Sequence, residues 1–172
     1  MKKGFTLVEL LIVVVIIGIL SSIGIVNYIR LVNNAREASL KNNMHILHTV
    51  VEIFSVTSLG QYPGGIDTKV KDVNPSLVSH PDGEKSIADG RRKPPFSQNA
   101  LLLPHESFKN PFFPDENALD NLFSGPPPVP PIGCVYYTGF KEDGNIATEG
   151  EVASKYVITA YGLKGPLDLI LP

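Results

Sequence analysis

The chain has 172 residues, 43% hydrophobic and 19% charged, with a formal net charge of −2. Its lysines and arginines are scattered rather than massed, so charge gives no case for nucleic acid as a partner. The single cysteine, Cys134, excludes an internal disulfide and sits in an apolar run, where it is expected as a buried thiol acting as a small hydrophobe.

Lys2 and Lys3 open the chain, Gly4 and Phe5 follow, and after Glu9 the run from Leu10 to Ile29 carries no charged residue. At about 1.5 Å of rise per residue this run makes a helix of roughly 30 Å, one hydrocarbon thickness. The two lysines favour an N-terminus in the cytoplasm and the rest of the chain outside. A cleaved secretory signal would have a shorter apolar core closed by an A-x-A-like site, which Ser21-Ser22-Ile23-Gly24 imitates only loosely. A plain anchor has no need of Glu9, because an ionised carboxylate at membrane depth is costly without a positive partner.

Gly4-Phe5-Thr6-Leu7-Val8-Glu9, behind a short basic leader and ahead of an apolar helix, resembles the class III signal of type IV prepilins and type II secretion pseudopilins. The resemblance implies that a membrane-embedded prepilin peptidase cuts after Gly4, removing residues 1–4 as a leader, and then methylates the new N-terminus at Phe5. It implies that Glu9 neutralises the terminal amine of a neighbouring subunit during fibre assembly. The physics agrees, since a buried carboxylate is tolerable where a buried ammonium meets it, and cleavage creates that ammonium at Phe5.

Beyond the membrane-spanning, polymerising segment 5–29, residues 30–59 continue the helical pattern in amphipathic form. Tyr28, Val32, Ala35 and Ala38, then Leu40, Met44, Leu47, Val51 and Phe54, recur in steps that suit one apolar stripe. Polar residues such as Asn34, Arg36, Asn42, Asn43 and Glu52 lie between them, and Glu37 with Lys41 makes a favourable i,i+4 pair. Gly60 and Pro63 predict a helix end near Leu59. Gly60-Gln61-Tyr62-Pro63 also looks like the G-x-Y-P that closes the long helix of many pseudopilins. The family's usual helix-breaking proline is replaced here by Val26, so any melting of the assembled helix would be milder or centred on residues 18–24.

Residues 60–131 form a connecting region, and the span 61–131 holds 13 of the 15 prolines. That density predicts a long surface connection without regular helices or a central strand. Short helical turns are expected at 97–103 and 115–123, and the prolines from Pro126 to Pro131 predict a stiff extended strap. Arg91-Arg92-Lys93 reads as a solvated loop tip. Residues 132–172 return to β-type composition. Strands are expected at 132–140, at 146–147 or Val152, at 155–161 and at 167–171, with a turn at Glu142-Asp143-Gly144-Asn145. The expected fold is α+β: one long helix over about residues 5–59, its C-terminal half packed on a small antiparallel sheet of three to four strands. This is the pilin-like head, and the YVITAYG…LDLIL ending resembles the last hairpin of such proteins.

No G-x-S-x-G, phosphate loop or cysteine pair appears, so no catalytic residues are assigned and the chain is not expected to be an enzyme. His45 and His48 share a helix face but lack a third ligand, and His80-Pro81-Asp82 and His105-Glu106 are loop pairs. No cofactor is expected, with one reservation. Some major pseudopilins bind calcium in a C-terminal loop, which makes Asp143, Asn145 and Glu149, with Glu142 and Glu151 nearby, the weak candidates for a metal.

The expected function is structural: a pilus-like fibre subunit first, a type II secretion pseudopilin second, and a membrane-anchored extracytoplasmic binding domain third. Its partners would be further copies of itself, the prepilin peptidase and an assembly platform in the membrane. It would sit in the inner membrane with its head outside, then pass into a pilus or periplasmic pseudopilus.

Overall fold

The computed structural model describes residues 5–88, 102–104, 108–122 and 131–170, and the chain divides into two units, Met1–Arg36 and Glu37–Pro172. One helix, α1 (Leu7–Thr57), occupies the N-terminal third. It contains no proline, and the expected helix is found with both boundaries two residues further in.

In the unit from Glu37 onward, α1 buries Leu40, Met44, Leu47, Val51 and Phe54, the stripe read from the sequence. Other positions differ from that reading. Ala35 and Ala38 are exposed, whereas Asn43 is only 2% exposed. Asn43 lies three residues from Leu40 and four from Leu47, which puts it on the inward face. Its amide is satisfied there by donating from Nδ2 to the carbonyl of Lys109 at 2.8 Å.

The helix ends in a Schellman motif. Gly60 N–H donates to the carbonyl of Ser55 at 2.8 Å and Leu59 N–H to that of Val56 at 3.4 Å. The left-handed residue that this motif requires is Leu59, at φ 64°, while Gly60 follows at φ 96°. Leu59 is 71% exposed, so it has little packing to lose. We expect Leu59→Gly to stabilise the fold by about 0.5–1 kcal/mol, read as a higher urea midpoint. An unchanged or lower midpoint would refute it.

Four strands form the main sheet in the order β2 (Leu119–Asn121), β3 (Val135–Phe140), β5 (Lys155–Gly162), β6 (Gly165–Ile170). The pairs β3–β5 and β5–β6 are antiparallel, as expected, but β2 joins β3 in parallel, with Leu119 opposite Val135. A strand therefore stands where a helical turn was predicted. After the turn closed by Glu116 N–H on the carbonyl of Phe113, the chain extends so that Ala118 O accepts from Val135 N–H and Leu122 N–H donates to Tyr137 O. Both Ala118 and Leu119 are fully buried, and that burial outweighs the opening signal of Pro114-Asp115. The other expected turn falls largely outside the described residues, as does most of the proline strap.

A second, two-stranded sheet pairs β1 (Tyr62–Pro63) with β4 (Val152–Ala153). The expected return strand after the 142–145 turn is thus split. Ile146 makes one bridge to Phe140, and Val152–Ala153 crosses to the end of the helix connection. Gly64 and Gly139 allow this crossing. A Cβ on Gly64 would collide with the carbonyl oxygens of Thr148 and Glu151, and one on Gly139 would press on Ala153 and Pro63.

Residues 64–88 are more than a surface connection. Ile66, Val70, Val73, Ile87 and Ala88 enter the hydrophobic core, carried by α2 (Val70–Val73) and by 3-10 turns that begin at Pro75 and Pro81. Proline suits the first position of such turns because its missing N–H would have no partner there.

A polar cluster links α1 to the sheet at the edge of the core. The Tyr156 hydroxyl donates to Glu52 Oε1 at 2.6 Å and lies 2.7 Å from His48 Nδ1. Tyr62 and Tyr137 pack on the Tyr156 ring at 5.0 and 5.7 Å, and the Tyr137 hydroxyl donates to the carbonyl of Pro63 at 2.6 Å. Burial first, and then the bond to Glu52, push the Tyr156 hydroxyl well above its ordinary pKa.

Two exposed carboxylates tie the connecting loops. Glu84 accepts from Lys69 Nζ at 2.6 Å and also from Lys71, which pulls its pKa from 4.5 to about 2. Glu151 accepts from Lys141 Nζ at 2.7 Å and from Thr148 N–H and hydroxyl at 2.8 and 2.9 Å, with the same result. Their folded pKa values lie below the unfolded ones, so an unfolded chain takes up these protons first. The stabilisation is complete above about pH 4.5 and is lost as the pH falls toward 2. We expect the urea midpoint to be flat from neutral pH to about 5 and then to fall. The fall should be shallower in Glu84→Gln and at high salt, which screens exposed pairs. A midpoint independent of pH below 4.5 would contradict this.

Candidate functional site

The unit Met1–Arg36 presents an unusual surface. Phe5 is 77% exposed, Leu7 82%, and every large aliphatic residue from Val8 to Ile29 is likewise exposed. Nothing lies within 4 Å of where a Cβ would stand on Gly18 or Gly24. An apolar face of this extent on all sides of a helix requires a nonpolar environment or other protein around it. Helix α1 is long and apolar enough to cross a membrane by length and composition. It thus fits a membrane anchor.

Glu9 heads this helix. Its Oε2 accepts from the backbone N–H of Thr6 at 2.9 Å and from the Thr6 hydroxyl at 2.8 Å, while Glu9 N–H donates to Thr6 Oγ1 at 3.3 Å. This is a capping box, with Thr6 at the N-cap and Glu9 at the third helical position. It satisfies amides that would otherwise be unpaired in a nonpolar medium. The carboxylate therefore has a partner within its own chain, one residue from Phe5. The sequence carried the signal, Thr-x-x-Glu before an apolar run, beside the need of Glu9 for a positive partner. Gly4 lies outside the described residues.

The other residues singled out do not gather around this site. His48 is held by Tyr156, and His45 is exposed. His80 Nδ1 lies 3.3 Å from Asp82, whereas His105, Glu106 and the basic run 91–93 are outside the described residues. Asp143 accepts from the N–H and Nδ2 of Asn145 at 2.9 and 2.8 Å, Glu149 accepts from Asn121 Nδ2 at 3.2 Å, and Glu151 is held by Lys141. Among the described residues no three His, Cys, Asp or Glu side chains converge as a metal site would require. Cys134 is fully buried, its Sγ 3.7 Å from the carbonyl of Val135.

Residues 1–25 match the prokaryotic N-terminal methylation motif. Over 53 residues the chain is 44% identical to the type IV major pilin protein PilA of Myxococcus xanthus strain DK1622, a stretch covering 31% of this chain and 24% of that relative. No solved structure matches. The chain spans about a quarter of the length of this relative. A methylation motif leading into a long exposed apolar helix, followed by a small α+β head, defines a pilin-like protein. Over its N-terminal part the chain is thus similar to the type IV pilins.

Proposed function

We propose that this protein is made as a prepilin, cut after Gly4 by a prepilin peptidase, methylated at Phe5 and packed through α1 into a pilus-like fibre. Its role is structural and not enzymatic. Before assembly α1 spans the inner membrane, with the head outside the cytoplasm. The observation that carries this reading is the methylation motif running without a break into an exposed apolar helix headed by Glu9. In the free subunit Glu9 caps its own helix. In the fibre it would meet the Phe5 amine of a neighbour, which replaces amide donors with a full positive charge in a water-poor setting. The likeness to a major pilin favours a pilus. A secretion pseudopilus is the second reading, favoured by the Gly60-x-Tyr62-Pro63 helix ending and by a lone cysteine where many pilins have a pair.

Mass spectrometry of the protein from its own host tests the processing. A chain that begins at Phe5 and is heavier by one methyl group is expected, and an intact Met1 or cleavage within residues 22–24 would overturn the proposal. Glu9→Ala should still be processed while fibre yield falls roughly tenfold or more. Normal fibres from that variant would remove the assembly role of Glu9. Immunolabelled filaments on the cell surface, rather than none outside the envelope, would decide for the pilus.

A further inference from the structure

His48, Glu52 and Tyr156 all lie in the unit from Glu37 onward, two of them on α1 and one on β5. Their i,i+4 spacing sets His48 and Glu52 on one face of the helix, and the Tyr156 hydroxyl reaches between them from the sheet. Tyr156 Oη is 2.7 Å from His48 Nδ1 and 2.6 Å from Glu52 Oε1, while Nδ1 and Oε1 are 4.0 Å apart. Three donor atoms thus converge, one imidazole nitrogen, one carboxylate oxygen and one phenol oxygen.

Two short separations and one long one describe three corners of a square. Metal bonds of about 2.0–2.1 Å at right angles put neighbouring ligands about 2.9 Å apart and opposite ligands about 4 Å apart. His48 and Glu52 therefore stand opposite each other, and Tyr156 is adjacent to both. A tetrahedral set would make all three separations equal, at about 3.3 Å. The His48 and Glu52 side chains are 32% and 45% exposed, so water can reach the fourth corner. The donors are held from behind. Tyr62 Oη donates to Glu52 Oε1 at 3.4 Å, and the Tyr62 and Tyr137 rings fix that of Tyr156, which is 1% exposed. Such outer support keeps ligands aimed at a metal.

We propose that His48, Glu52 and Tyr156 form a binding site for a divalent transition metal of tetragonal preference, copper(II) first. Square-planar nitrogen and oxygen ligation suits that ion, and copper heads the general order of divalent affinities. The metal-free cluster spends the one hydroxyl proton of Tyr156 on Glu52, so His48 Nδ1–H donates to Tyr156 Oη. On binding, the phenol proton leaves to water and the imidazole proton moves from Nδ1 to Nε2. The doubly charged ion then meets a carboxylate and a phenolate, and the site ends neutral. The proposal does not depend on the fibre reading.

The test titrates the metal-free, detergent-solubilised full chain with copper(II) in competition with a chelator of known affinity. One tight equivalent is expected, and it should raise the urea midpoint, as any ligand of the folded state does. Tyr156→Phe and Glu52→Gln should each weaken copper by about a hundredfold, since outer-shell partners alone are worth about 10–100-fold. His45→Ala and His80→Ala should stay within about twofold of wild type, because neither side chain belongs to the set. The wild-type copper complex, which needs no variant to fold, should give an axial electron paramagnetic resonance spectrum with one coordinated imidazole. Wild-type affinity in both Tyr156→Phe and Glu52→Gln, two or more coordinated imidazoles, or no tight equivalent at all would each overturn the proposal.

Discussion

Asn110→Ala is expected to lower the unfolding free energy by about 3–5 kcal/mol, because it leaves several buried backbone groups without partners. Asn110 is 1% exposed, and all of its hydrogen-bonding capacity serves the backbone. Its Nδ2 donates to the carbonyls of Asn117 and Ile132 at 3.0 and 2.8 Å, while its Oδ1 accepts from the N–H groups of Phe112 and Phe113 at 2.9 and 3.0 Å. The amide thereby fastens the loop before β2 to the entry of β3. Gly133, at φ +85°, completes the arrangement, since a Cβ there would collide with the Asn110 amide. Asn110→Asp should be at least as damaging. It keeps the two acceptor bonds but turns a buried carboxylate toward two carbonyl oxygens, a repulsion that protonation would relieve only in part. Urea denaturation of the detergent-solubilised chain measures both. A loss under about 1 kcal/mol for Asn110→Ala would show that water replaces the amide without cost.

Asn110 also marks where sequence reading stops. In Lys109-Asn110-Pro111 it reads as one more Asn-Pro turn, and no local pattern reports that four distant or neighbouring backbone groups converge on it. The same limit explains β2. Three residues in a proline-rich stretch have no periodicity, and only the parallel pairing of Leu119 to Asn121 with Val135 to Tyr137 makes them a strand. Ile66, Val70, Val73 and Ile87 are apolar residues isolated among Gly, Pro and charge, so their place in the core depends on a fold-back that composition does not encode.

Elements with a repeating period were legible. The apolar run and the inward stripe of α1 follow from spacing alone, and Lys155 to Gly162 alternates between more and less buried positions as its sequence does. Asn43 shows that position can outrank polarity. Its spacing from Leu40 and Leu47 places it inward, and the carbonyl of Lys109 makes that burial affordable. At the N-terminus the Thr6–Glu9 box was legible as a capping motif, Thr-x-x-Glu ahead of an apolar run.

Adjacent residues of α1 should differ sharply in what they contribute to folding. Phe54→Ala removes a fully buried ring from the face that enters the core, and we expect it to cost about 3–5 kcal/mol of stability through lost transfer free energy and the cavity left behind. Ile53, one residue earlier, is turned by about 100° around the helix and is 45% exposed. Ile53→Ala should change the unfolding free energy by no more than about 0.5 kcal/mol, because the small apolar loss is offset by the better helix propensity of alanine. Urea midpoints of the two variants in the detergent-solubilised chain measure the contrast. Comparable destabilisation by both would mean that the helix register is wrong and that Ile53 faces the core. If the contrast holds, the register of α1 in the unit from Glu37 onward is fixed, with Phe54 turned to the core and Ile53 away from it.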